Sequence, residues 1–462
     1  MFRKARHLHF VGIGGTGMSG IAEVLVNLGY PVSGSDLSSN PATRRLKKMG
    51  ARIHKGHRLS NLREADVVVI SSAVRPDNPE VVEARRLKIP VIPRAEMLAE
   101  LMRLKTGIAV AGAHGKTTTT ALVAEVLDKG KLDPTVVIGG RVGKLRSGAK
   151  LGKGDLMVAE ADESDGSFLK MKPTIAIVTN IDREHLDHYD DLTDIQDTFV
   201  EFLSRLPFYG VAVVCLDDPN VRSILPRVDR KVITYGLSSE ADISAVDVSI
   251  DQFESSYTVS AFGEQVGRIT VALPGRHSVY NSLAAVAVAM ELEIPFQTIA
   301  RALKSFRGVE RRFQLRGRYN DALVVDDYGH HPTEIEAVLN GVREGFGART
   351  IVVFQPHRFS RTQALLEEFG GAFHLADIVF VTDIYPAGEE PVSGVDGSLV
   401  QDALVRHGHP DVRYVKDHGA IIRQLRELLQ PGDVMITLGA GDVWKIGDSL
   451  AKSGKKQGRR KR

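Results

Sequence analysis

Short runs of apolar, β-branched residues alternate with amphipathic segments along most of this chain, and glycine-bearing loops separate them. This rhythm is typical of a parallel β-sheet whose strands are joined by helices. It restarts three times, which predicts an α/β protein with domains at residues 1–105, 106–307 and 308–462. In the first block the predicted strands are residues 8–11, 31–33, 67–70 and 91–92, and a helix is predicted over residues 18–28.

The second block departs from the rhythm near its end. Residues 242–273 alternate polar and apolar positions and are rich in Ser, Thr and Val, which predicts an antiparallel addition to the sheet. Residues 282–290 predict a buried, alanine-rich helix. The predicted strands of the second block are residues 108–111, 157–160, 175–179 and 211–216. Those of the third are residues 323–326, 350–354, 378–382 and 434–438, with helices near 333–343 and 361–369.

Composition narrows the class of protein without identifying its activity. The chain has 462 residues, of which 43% are hydrophobic and 25% charged, as in ordinary globular proteins of about three domains. The single cysteine, Cys215, excludes an internal disulfide framework and a multi-cysteine metal site. No apolar stretch approaches the ~20 residues that cross a bilayer. The basic start has no apolar signal core, so we expect a cytoplasmic protein without stable membrane insertion.

The net charge of +3 comes from the end of the chain. The last nine residues carry six Lys and Arg and no acid, so the remainder is slightly negative. We therefore expect no nucleic-acid partner. The same segment predicts a disordered basic tail from about residue 453.

The strongest local motif is AVAGAHGKTT at residues 109–118, where an apolar strand leads into a glycine loop and Lys-Thr opens a helix. The N–H groups of such a loop point at a polyphosphate, with the helix N-terminus behind it. Lys116 would reach the β- and γ-phosphates, and Thr117 would hold Mg²⁺. Val110 stands where a strict Walker A loop has glycine. The alternative is a glycine-rich turn with a surface lysine.

Two polar segments that follow predicted strands could complete a metal site. Glu160 ends one strand and precedes three more acids within residues 162–165. A carboxylate at this place can ligate Mg²⁺ that faces the phosphates. His185, within TNIDREHLDHY at residues 179–189, could be a second metal ligand or a phosphate contact. The alternatives are a solvated acidic turn and a surface histidine.

The sequence GIGGTG at residues 12–17 fits G-x-G-x-x-G, and Asp36 ends a later predicted strand. The pattern is that of a dinucleotide site, in which glycines approach a diphosphate and an acid binds a ribose hydroxyl. Any nucleoside diphosphate could use it, and a glycine loop without a ligand is the other possibility.

The third block carries DDYGHHP at residues 326–332 and QPHRFSR at residues 355–361, each after a predicted strand. Arg358 and Arg361 are three residues apart and could present their guanidinium groups side by side to an anion. Ordinary capping and surface charge are the alternatives.

Together, these motifs resemble the ATP-dependent Mur ligases of bacterial cell-wall synthesis. Matching stretches occur in the family's order and span nearly the whole chain. They are residues 12–22 (GIGGTGMSGIA), 112–119 (GAHGKTTT), 160–168 (EADESDGSF), 180–189 (NIDREHLDHY), 274–277 (PGRH), 308–314 (GVERRFQ), 326–335 (DDYGHHPTEI), 355–362 (QPHRFSRT) and 383–391 (DIYPAGEEP).

The resemblance implies a Rossmann-like N-terminal domain that binds UDP, a central P-loop ATPase domain with a mixed sheet, and a C-terminal Rossmann-like domain that closes over both. It implies ATP and two Mg²⁺ ions as cofactors. The other implied partners are UDP-N-acetylmuramate and L-alanine, and the chain would act as a monomer or a homodimer.

The resemblance also assigns roles to individual residues. The implied ATP contacts are Gly112, Ala113, His114, Gly115, Lys116, Thr117, Thr118, Asn281, Arg312, Asp326, Asp327 and Tyr328. The implied UDP-sugar contacts are Gly14, Gly15, Gly17, Met18, Asp36, Ser71, Ser72 and Ala73. The implied metal ligands are Thr117, Glu160 and His185. The implied catalytic set is Lys116, Glu160 and His185 with His330, Arg358 and Arg361, of which the last three would face the muramyl carboxylate or the incoming alanine.

Two departures from the family pattern stand out. Ser278 occupies the place of the first of two asparagines, so only Asn281 remains. Some sister ligases use a carbamylated lysine as a metal ligand, but no lysine occurs between residues 173 and 230. Glu201 is our candidate for its replacement.

The implied activity is a carbon–nitrogen ligation in peptidoglycan precursor synthesis. ATP would phosphorylate the lactyl carboxylate of the UDP sugar, and the amine of L-alanine would attack the acyl phosphate. Three alternatives stay open. They are a nicotinamide-dependent dehydrogenase, suggested by the first glycine motif alone, a nucleotide-binding module without turnover, and a recycling ligase that adds a preformed peptide to the same sugar.

Overall fold

The computed structural model describes residues 6–71, 73–139, 148–185 and 188–460. The chain divides into two compact units. The first comprises Met1–Asp247, Thr258–Ile269 and Tyr280–Arg307, and the second comprises Val248–Tyr257, Thr270–Val279 and Gly308–Arg462. Within the described ranges, no helix combines the length and the hydrophobicity that a membrane crossing requires.

A parallel sheet forms at the start of the first unit. Its strands are β1 (Leu8–Val11), β2 (Val32–Asp36), β3 (Arg52–Lys55), β4 (Val67–Ile70) and β5 (Val91–Pro93). Their order in the described part of the chain is β3-β2-β1-β4-β5. The accompanying helices are α1 (Thr16–Asn27), α2 (Pro41–Lys48), α3 (Pro79–Arg86) and α4 (Arg94–Met102), with a 3₁₀ turn at Leu59–Leu62.

The second sheet is mixed and contains the strand before the lysine-bearing loop. Its strands are β6 (Thr106–Ala111), β7 (Thr135–Val137), β8 (Ala149–Lys150), β9 (Leu156–Glu160), β10 (Ile175–Val178), β11 (Val211–Cys215), β12 (Lys231–Gly236), β13 (Ile243–Asp251), β14 (Glu254–Ala261) and β15 (Glu264–Val271). The order among described residues is β15-β14-β13-β12-β11-β10-β6-β9-β7-β8. Its helices are α5 (Lys116–Lys129), α6 (Leu192–Ser204), α7 (Pro219–Ile224), α8 (Arg276–Glu291) and α9 (Phe296–Ser305), and a 3₁₀ turn spans Leu225–Arg227.

The third sheet lies in the second unit. Its strands are β16 (Gln314–Tyr319), β17 (Ala322–Asp327), β18 (Thr350–Phe354), β19 (Ile378–Val381), β20 (Val412–Tyr414) and β21 (Val434–Leu438). Where the chain is described, their order is β16-β17-β21-β18-β19-β20. Among the described strands of this sheet, only β16 runs antiparallel to its neighbour. The helices are α10 (Pro332–Phe346), α11 (Phe359–Ala364), α12 (Leu366–Ala372), α13 (Ser398–Arg406), α14 (His418–Leu428) and α15 (Trp444–Arg460).

Hydrophobic periodicity explains most of these elements. Ile21, Val24 and Leu25 are at most 1% exposed and form the buried face of α1. The alternating segment after residue 242 forms β13, β14 and β15, which are neighbours in the sheet and are joined by two residues at each turn. Neighbouring strands with so short a connection must run antiparallel, which agrees with the predicted antiparallel addition. The three sheets confirm the three-domain α/β architecture, with the first two sheets lying largely in the first compact unit, and the exact domain boundaries stay a prediction.

Several elements differ from expectation. The strands β7, β12, β16 and β20 were not among those predicted, and two further differences have a clear physical reason. The strand β3 was not predicted because its sequence, RIHK, is polar, and it forms an edge of the first sheet. The predicted disordered tail from about residue 453 does not match α15, which continues to Arg460. Packing holds the start of this segment, because Arg426 donates a hydrogen bond to Ser453 (3.0 Å) and Gly454 packs against the backbone of Arg318.

Candidate active site

The lysine-bearing glycine loop lies between β6 and α5, at the carboxyl edge of the second sheet. Gly112 and Gly115 have φ values of +125° and +82°, a conformation that residues with a Cβ rarely adopt. A Cβ on Gly112 would lie 2.2 Å from Thr179 Oγ1, and one on Gly115 would lie 2.5 Å from Asn281 Oδ1. Both positions therefore require glycine, for backbone conformation and for space.

The residues after β10 hold this loop in place. The N–H of His114 donates to Asn180 Oδ1 (2.8 Å), while Asn180 Nδ2 and Thr179 Oγ1 donate to the His114 carbonyl (3.0 and 2.6 Å). The imidazole of His114 lies 2.8 Å from Asp182 Oδ2. Because β10 is the sheet neighbour of β6, the polar residues that follow β10 reach the loop directly.

Lys116 turns back into the loop that precedes it. Its Nζ donates to the carbonyls of Gly112 (2.5 Å) and Ala113 (2.9 Å) and lies 2.7 Å from Glu163 Oε1. Burial lowers the pKa of Lys116, but the negative charges of Glu163 and Glu184 outweigh it and raise the pKa above its ordinary value. The structure thus holds an ammonium group inside the loop, where a phosphate chain would lie.

A cluster of three possible metal ligands lies beside Lys116. One ligand atom from each of Glu163, Glu184 and His185 falls within 4.8 Å of the others. Burial raises the pKa of Glu163 to about 7, although Lys116 opposes the shift. Glu163 Oε2 is buried and makes no hydrogen bond within the described part of the chain. Two carboxylates and an imidazole, one with an unsatisfied oxygen, form a donor set that a divalent cation would complete.

The predicted metal ligands and the members of this cluster overlap only in part. His185 belongs to it, as expected, whereas Glu163 and Glu184 were not singled out from the sequence. Glu160 ends β9 opposite Val110 of β6, so it lies at the same edge of the sheet. A Cβ on Gly139 would lie 2.6 Å from Glu160 Oε2. The role of Glu160 as a ligand stays a prediction.

Glu201 does not fit the role suggested for it. It lies on α6 with 54% of its side chain exposed, and it accepts a hydrogen bond from Arg205 (2.6 Å). The prediction that Glu201 replaces the lysine of the sister ligases is therefore not supported. Glu184 is the additional carboxylate beside His185, with Oε2 3.7 Å from Nε2.

The first turn of α5 packs against α8. Thr117 is half-buried and Thr118 is buried. Thr119 Oγ1 donates to Asn281 Oδ1 (3.1 Å), so the buried side chain of Asn281 supports the loop from behind. A contact from Asn281 to adenine stays a prediction. Ser278 donates to the Pro274 carbonyl (2.7 Å) and thus serves its own helix start.

The first glycine loop is organised by Asp36 at the end of β2. Asp36 Oδ2 accepts the N–H of Gly14 (2.9 Å), and Asn40 Nδ2 donates to the Gly14 carbonyl (3.1 Å). Gly15 precedes α1, and a Cβ on Gly17 would lie 2.8 Å from Arg94 Nη1. The Asp36 carboxylate is therefore joined directly to the glycine loop, and the contact from Asp36 to a ribose hydroxyl stays a prediction.

The remaining residues predicted to contact the UDP sugar differ in burial and position. Met18 is 2% exposed and packs in the core, so only its backbone can face a ligand. Ser71 and Ala73 follow β4 at the same edge of the first sheet, and the Ser71 carbonyl accepts the N–H of Val74 (3.0 Å). Ser72 lies outside the described residues.

In the second unit, two predicted nucleotide contacts turn inward. Asp326 accepts hydrogen bonds from Arg311 Nε (3.1 Å) and Thr437 Oγ1 (2.7 Å). Asp327 accepts the N–H groups of Phe313 (2.6 Å) and Gly329 (2.7 Å). Both carboxylates are buried and already hydrogen-bonded, so they shape the segment and do not present themselves to a nucleotide.

Tyr328, by contrast, is exposed at 36%. The guanidinium carbons of Arg311 and Arg312 lie 5.1 and 5.3 Å from the centre of its ring. Arg312 Nη1 also donates to Glu334 Oε1 (3.3 Å). Tyr328 and Arg312 therefore form an aromatic and cationic surface, and their contact with ATP stays a prediction.

His330, Arg358 and Arg361 lie around His357 at the carboxyl end of β18. The His357 ring is 5.3 Å from that of His330, and Arg361 Nη1 lies 3.3 Å from His357 Nδ1. Arg358 has a φ of +71° and its Nε lies 4.0 Å from Glu389 Oε1. The structure thus brings the three predicted residues together in a cationic cluster. His357, the residue at its centre, was not singled out from the sequence.

We expect His357 to make the free energy of unfolding fall as the pH falls below 6.5. Burial, with the nearby charges of His330, Arg361 and Arg358, lowers the pKa of His357 from 6.5 to about 3. Between these values the unfolded chain binds a proton that the folded chain does not, so acid favours unfolding. Urea titrations at pH 7, 6, 5 and 4 should show a shallower decline for His357→Gln than for the wild type. The exposed His374→Gln is the control, and equal slopes in all three proteins would refute this prediction.

Comparisons with known proteins match nearly the whole chain to one family. The matching family models are described as the Mur ligase catalytic domain (residues 7–106), the Mur ligase middle domain (110–289) and the Mur ligase glutamate ligase domain (311–441). The UDP-N-acetylmuramate–L-alanine ligase of Syntrophotalea carbinolica is 57% identical over 98% of both chains, and that of Geobacter sp. strain M21 is 57% identical over 97% of this chain and 98% of its own.

Solved structures agree with these sequence matches. The UDP-N-acetylmuramate–alanine ligase of Thermotoga maritima is 30% identical and has a TM-score of 0.82 over 98% of this chain and 99% of its own. A murein peptide ligase of Psychrobacter arcticus is 25% identical, with a TM-score of 0.71 over 97% and 98% of the two chains.

Proposed function

Since this chain belongs to the Mur ligase family, we propose that it joins L-alanine to the lactyl carboxylate of UDP-N-acetylmuramate and converts ATP to ADP and phosphate. The observation that carries the choice of substrates is the near-complete coverage of alanine-adding relatives. The ammonium of Lys116 inside a glycine loop supports the use of ATP. The reaction serves peptidoglycan precursor synthesis.

A carboxylate must be activated before an amine can displace its oxygen. The γ-phosphoryl group of ATP passes to the lactyl carboxylate, which forms an acyl phosphate and ADP. The neutral amine of L-alanine then attacks the acyl carbon, phosphate leaves, and the amine loses a proton as the amide forms. The protein needs no covalent step of its own, so positioning and electrostatics carry the catalysis.

Lys116 and the backbone of its loop bind the phosphate chain. The N–H groups of Lys116, Thr117 and Thr118 in the first turn of α5 would face it, where the helix favours negative charge, whereas those of Ala113 and His114 are held by Asn180. The Lys116 ammonium exchanges its carbonyl partners for phosphate oxygens and offsets the charge that develops on the transferring group. Asn281 and Thr119 keep the first turn of α5 in place.

The donor set beside Lys116 fits Mg²⁺. Glu163, Glu184 and His185 would hold one ion, with Glu163 Oε2 as the oxygen that needs a partner. Thr117 and Glu160 would hold another at the start of α5 and the end of β9. Bound Mg²⁺ would neutralise phosphate charge during transfer. Two ions rather than one are part of this proposal.

The two remaining substrates are assigned to the other polar loops. The diphosphate of the UDP sugar would lie against the first turn of α1, where Gly17 offers a backbone N–H and Gly14 and Gly15 leave room for close approach. The N–H groups of Gly14 and Gly15 are bound to Asp36 and Gly12, which keep the loop in shape. In the second unit, Arg358 and Arg361 supply guanidinium groups for a carboxylate. His330 lies with them, so this cluster binds the carboxylate of L-alanine or that of the muramyl group.

A phosphate-release assay with ATP, Mg²⁺ and UDP-N-acetylmuramate tests the function. We expect phosphate release that depends on both the UDP sugar and L-alanine. Release that requires a preformed peptide in place of L-alanine would identify the recycling ligase instead. A change in nicotinamide absorbance with no ADP formed would indicate a dehydrogenase and refute the proposal.

A further inference from the structure

Glu80 is a fully buried carboxylate whose contacts converge on one loop of the first sheet. It lies in the first turn of α3 and is 0% exposed. Its Oε1 accepts hydrogen bonds from Asn61 Nδ2 (2.5 Å) and from the N–H of Arg58 (3.3 Å). Its Oε2 accepts the hydroxyl of Ser35 and lies 3.2 Å from His57 Nδ1. Three of these four partners belong to the segment from His57 to Asn61, which follows β3.

The charge on Glu80 makes these contacts strong. Burial by itself would raise the pKa of Glu80. The nearby His9, whose Nε2 lies 3.7 Å from Oε2, and hydrogen bonds from Ser35 and Asn61 outweigh it and lower the pKa to about 2. The group is therefore ionised in the folded protein, and hydrogen bonds to an ionised oxygen are roughly twice as strong as neutral ones. A buried charge is weak evidence for stability alone, because an apolar side chain of similar size often stabilises a fold as well.

The loop that Glu80 holds is joined to the first glycine loop. Gly56 immediately precedes the segment from His57 to Asn61. Its N–H donates to the Asp36 carbonyl (2.8 Å), and Asn61 Nδ2 donates to the Gly56 carbonyl (3.2 Å). The carboxylate of Asp36 in turn accepts the N–H of Gly14 (2.9 Å). A continuous series of contacts therefore runs from the buried carboxylate to the loop that approaches the diphosphate.

We propose that Glu80 is a positioning residue for the UDP-sugar site, which holds the segment from His57 to Asn61 so that Asp36 and the glycine loop keep their binding arrangement. This inference rests on the proposed function. Glu80 touches no substrate itself. Its effect passes through His57, Asn61 and Gly56 to Asp36.

Glu80→Gln tests this role because the amide keeps the size of the side chain and removes its charge. We expect the KM for UDP-N-acetylmuramate to rise about tenfold, as small displacements of binding groups can produce. The kcat and the KM values for ATP and L-alanine should stay within about twofold, since the ATP loop is built from other strands. Glu83→Gln is the matched control, because Glu83 lies on the same helix and pairs with Arg86 at the surface. It should change none of these constants.

A second variant and a direct binding measurement keep the test decisive. Ser35→Ala is the alternative variant if Glu80→Gln does not fold. It removes one hydrogen bond to Glu80 and should raise the KM for UDP-N-acetylmuramate about threefold. Calorimetric titration with UDP should show a matching loss of affinity. If Glu80→Gln lowers the Tm but leaves the KM for the UDP sugar and the Kd for UDP unchanged, Glu80 only stabilises the fold and the proposal is wrong.

The titration also separates this inference from the function it rests on. A wild-type protein that binds UDP but forms no ADP with L-alanine would refute the proposed reaction, and the Kd of Glu80→Gln for UDP would still decide the role of Glu80. A wild-type protein that does not bind UDP would refute both.

Discussion

Replacement of Lys116 by alanine should reduce alanine-dependent ADP release by about 10²–10³-fold, the range found when one preorganised donor to a developing charge is removed. The Lys116 Nζ already lies inside its own loop, bound to the carbonyls of Gly112 and Ala113, so it only exchanges these partners for phosphate oxygens when the nucleotide arrives. Removal of the ammonium leaves the γ-phosphate without its protein cation. The measurement is ADP release at saturating ATP, UDP sugar and L-alanine.

The same substitution should lower the free energy of unfolding, because Glu163 loses the cation 2.7 Å from it. Breaking one partner out of a buried pair costs about 3–5 kcal/mol. Activity must therefore be measured well below the Tm of the variant. Lys150→Ala is the control, since Lys150 pairs with Asp128 and Asp133 at the surface and should cost at most about 1 kcal/mol. The affinity of Lys116→Ala for UDP should be unchanged. Normal turnover by Lys116→Ala would contradict the role assigned to Lys116.

Replacement of Gly112 by alanine should abolish nucleotide binding almost completely. A Cβ at this position would lie 2.2 Å from Thr179 Oγ1 and 3.0 Å from the Asn180 backbone nitrogen. The φ of +125° adds strain that a residue with a Cβ relieves only by moving the loop. Because Thr179 and Asn180 also hold His114, a shift here displaces the whole phosphate loop. We expect the Kd for ATP to rise about 10²-fold or more.

Gly263→Ala separates backbone strain from the steric clash. Gly263 has a φ of +87°, but a Cβ there would meet no atom of the described residues within 4 Å. The Gly263→Ala substitution should lower the free energy of unfolding by about 1–2 kcal/mol and leave the Kd for ATP unchanged. Calorimetric titration with ATP and thermal unfolding measure both effects. If Gly112→Ala binds ATP as tightly as the wild type, the loop tolerates a Cβ at residue 112 and the prediction is wrong.

Local patterns were sufficient to predict the glycine loops and the elements around them. A strand, a glycine turn and the start of a helix are adjacent in sequence, so residues 109–118 contain the conformational requirement as well as the lysine. Buried helices such as α8 follow from apolar periodicity for the same reason. The strand β3 was missed because an edge strand can be polar on both faces, which removes the periodic signal.

The metal-ligand cluster could not be predicted in full, because its members come from separate strands. Several acids follow β9, and the sequence does not say which of them turns toward Lys116. The structure selects Glu163, and it brings Glu184 to the same place from the loop after β10. It also turns Asp326 and Asp327 inward and leaves Glu201 on an exposed helix face.

The sequence by itself determined the α/β class, the positions of both glycine loops, the lysine that serves the second one and the resemblance to a family of ligases. These features depend on residues near one another in the chain, whose preferences act locally. The tertiary structure alone decided which carboxylates meet, because the order β10-β6-β9 brings together residues that are tens of positions apart. Sheet order also decided that Glu80, far from either loop in sequence, holds the segment next to Asp36. Burial and partner choice are properties of the packed chain, and no local pattern specifies them.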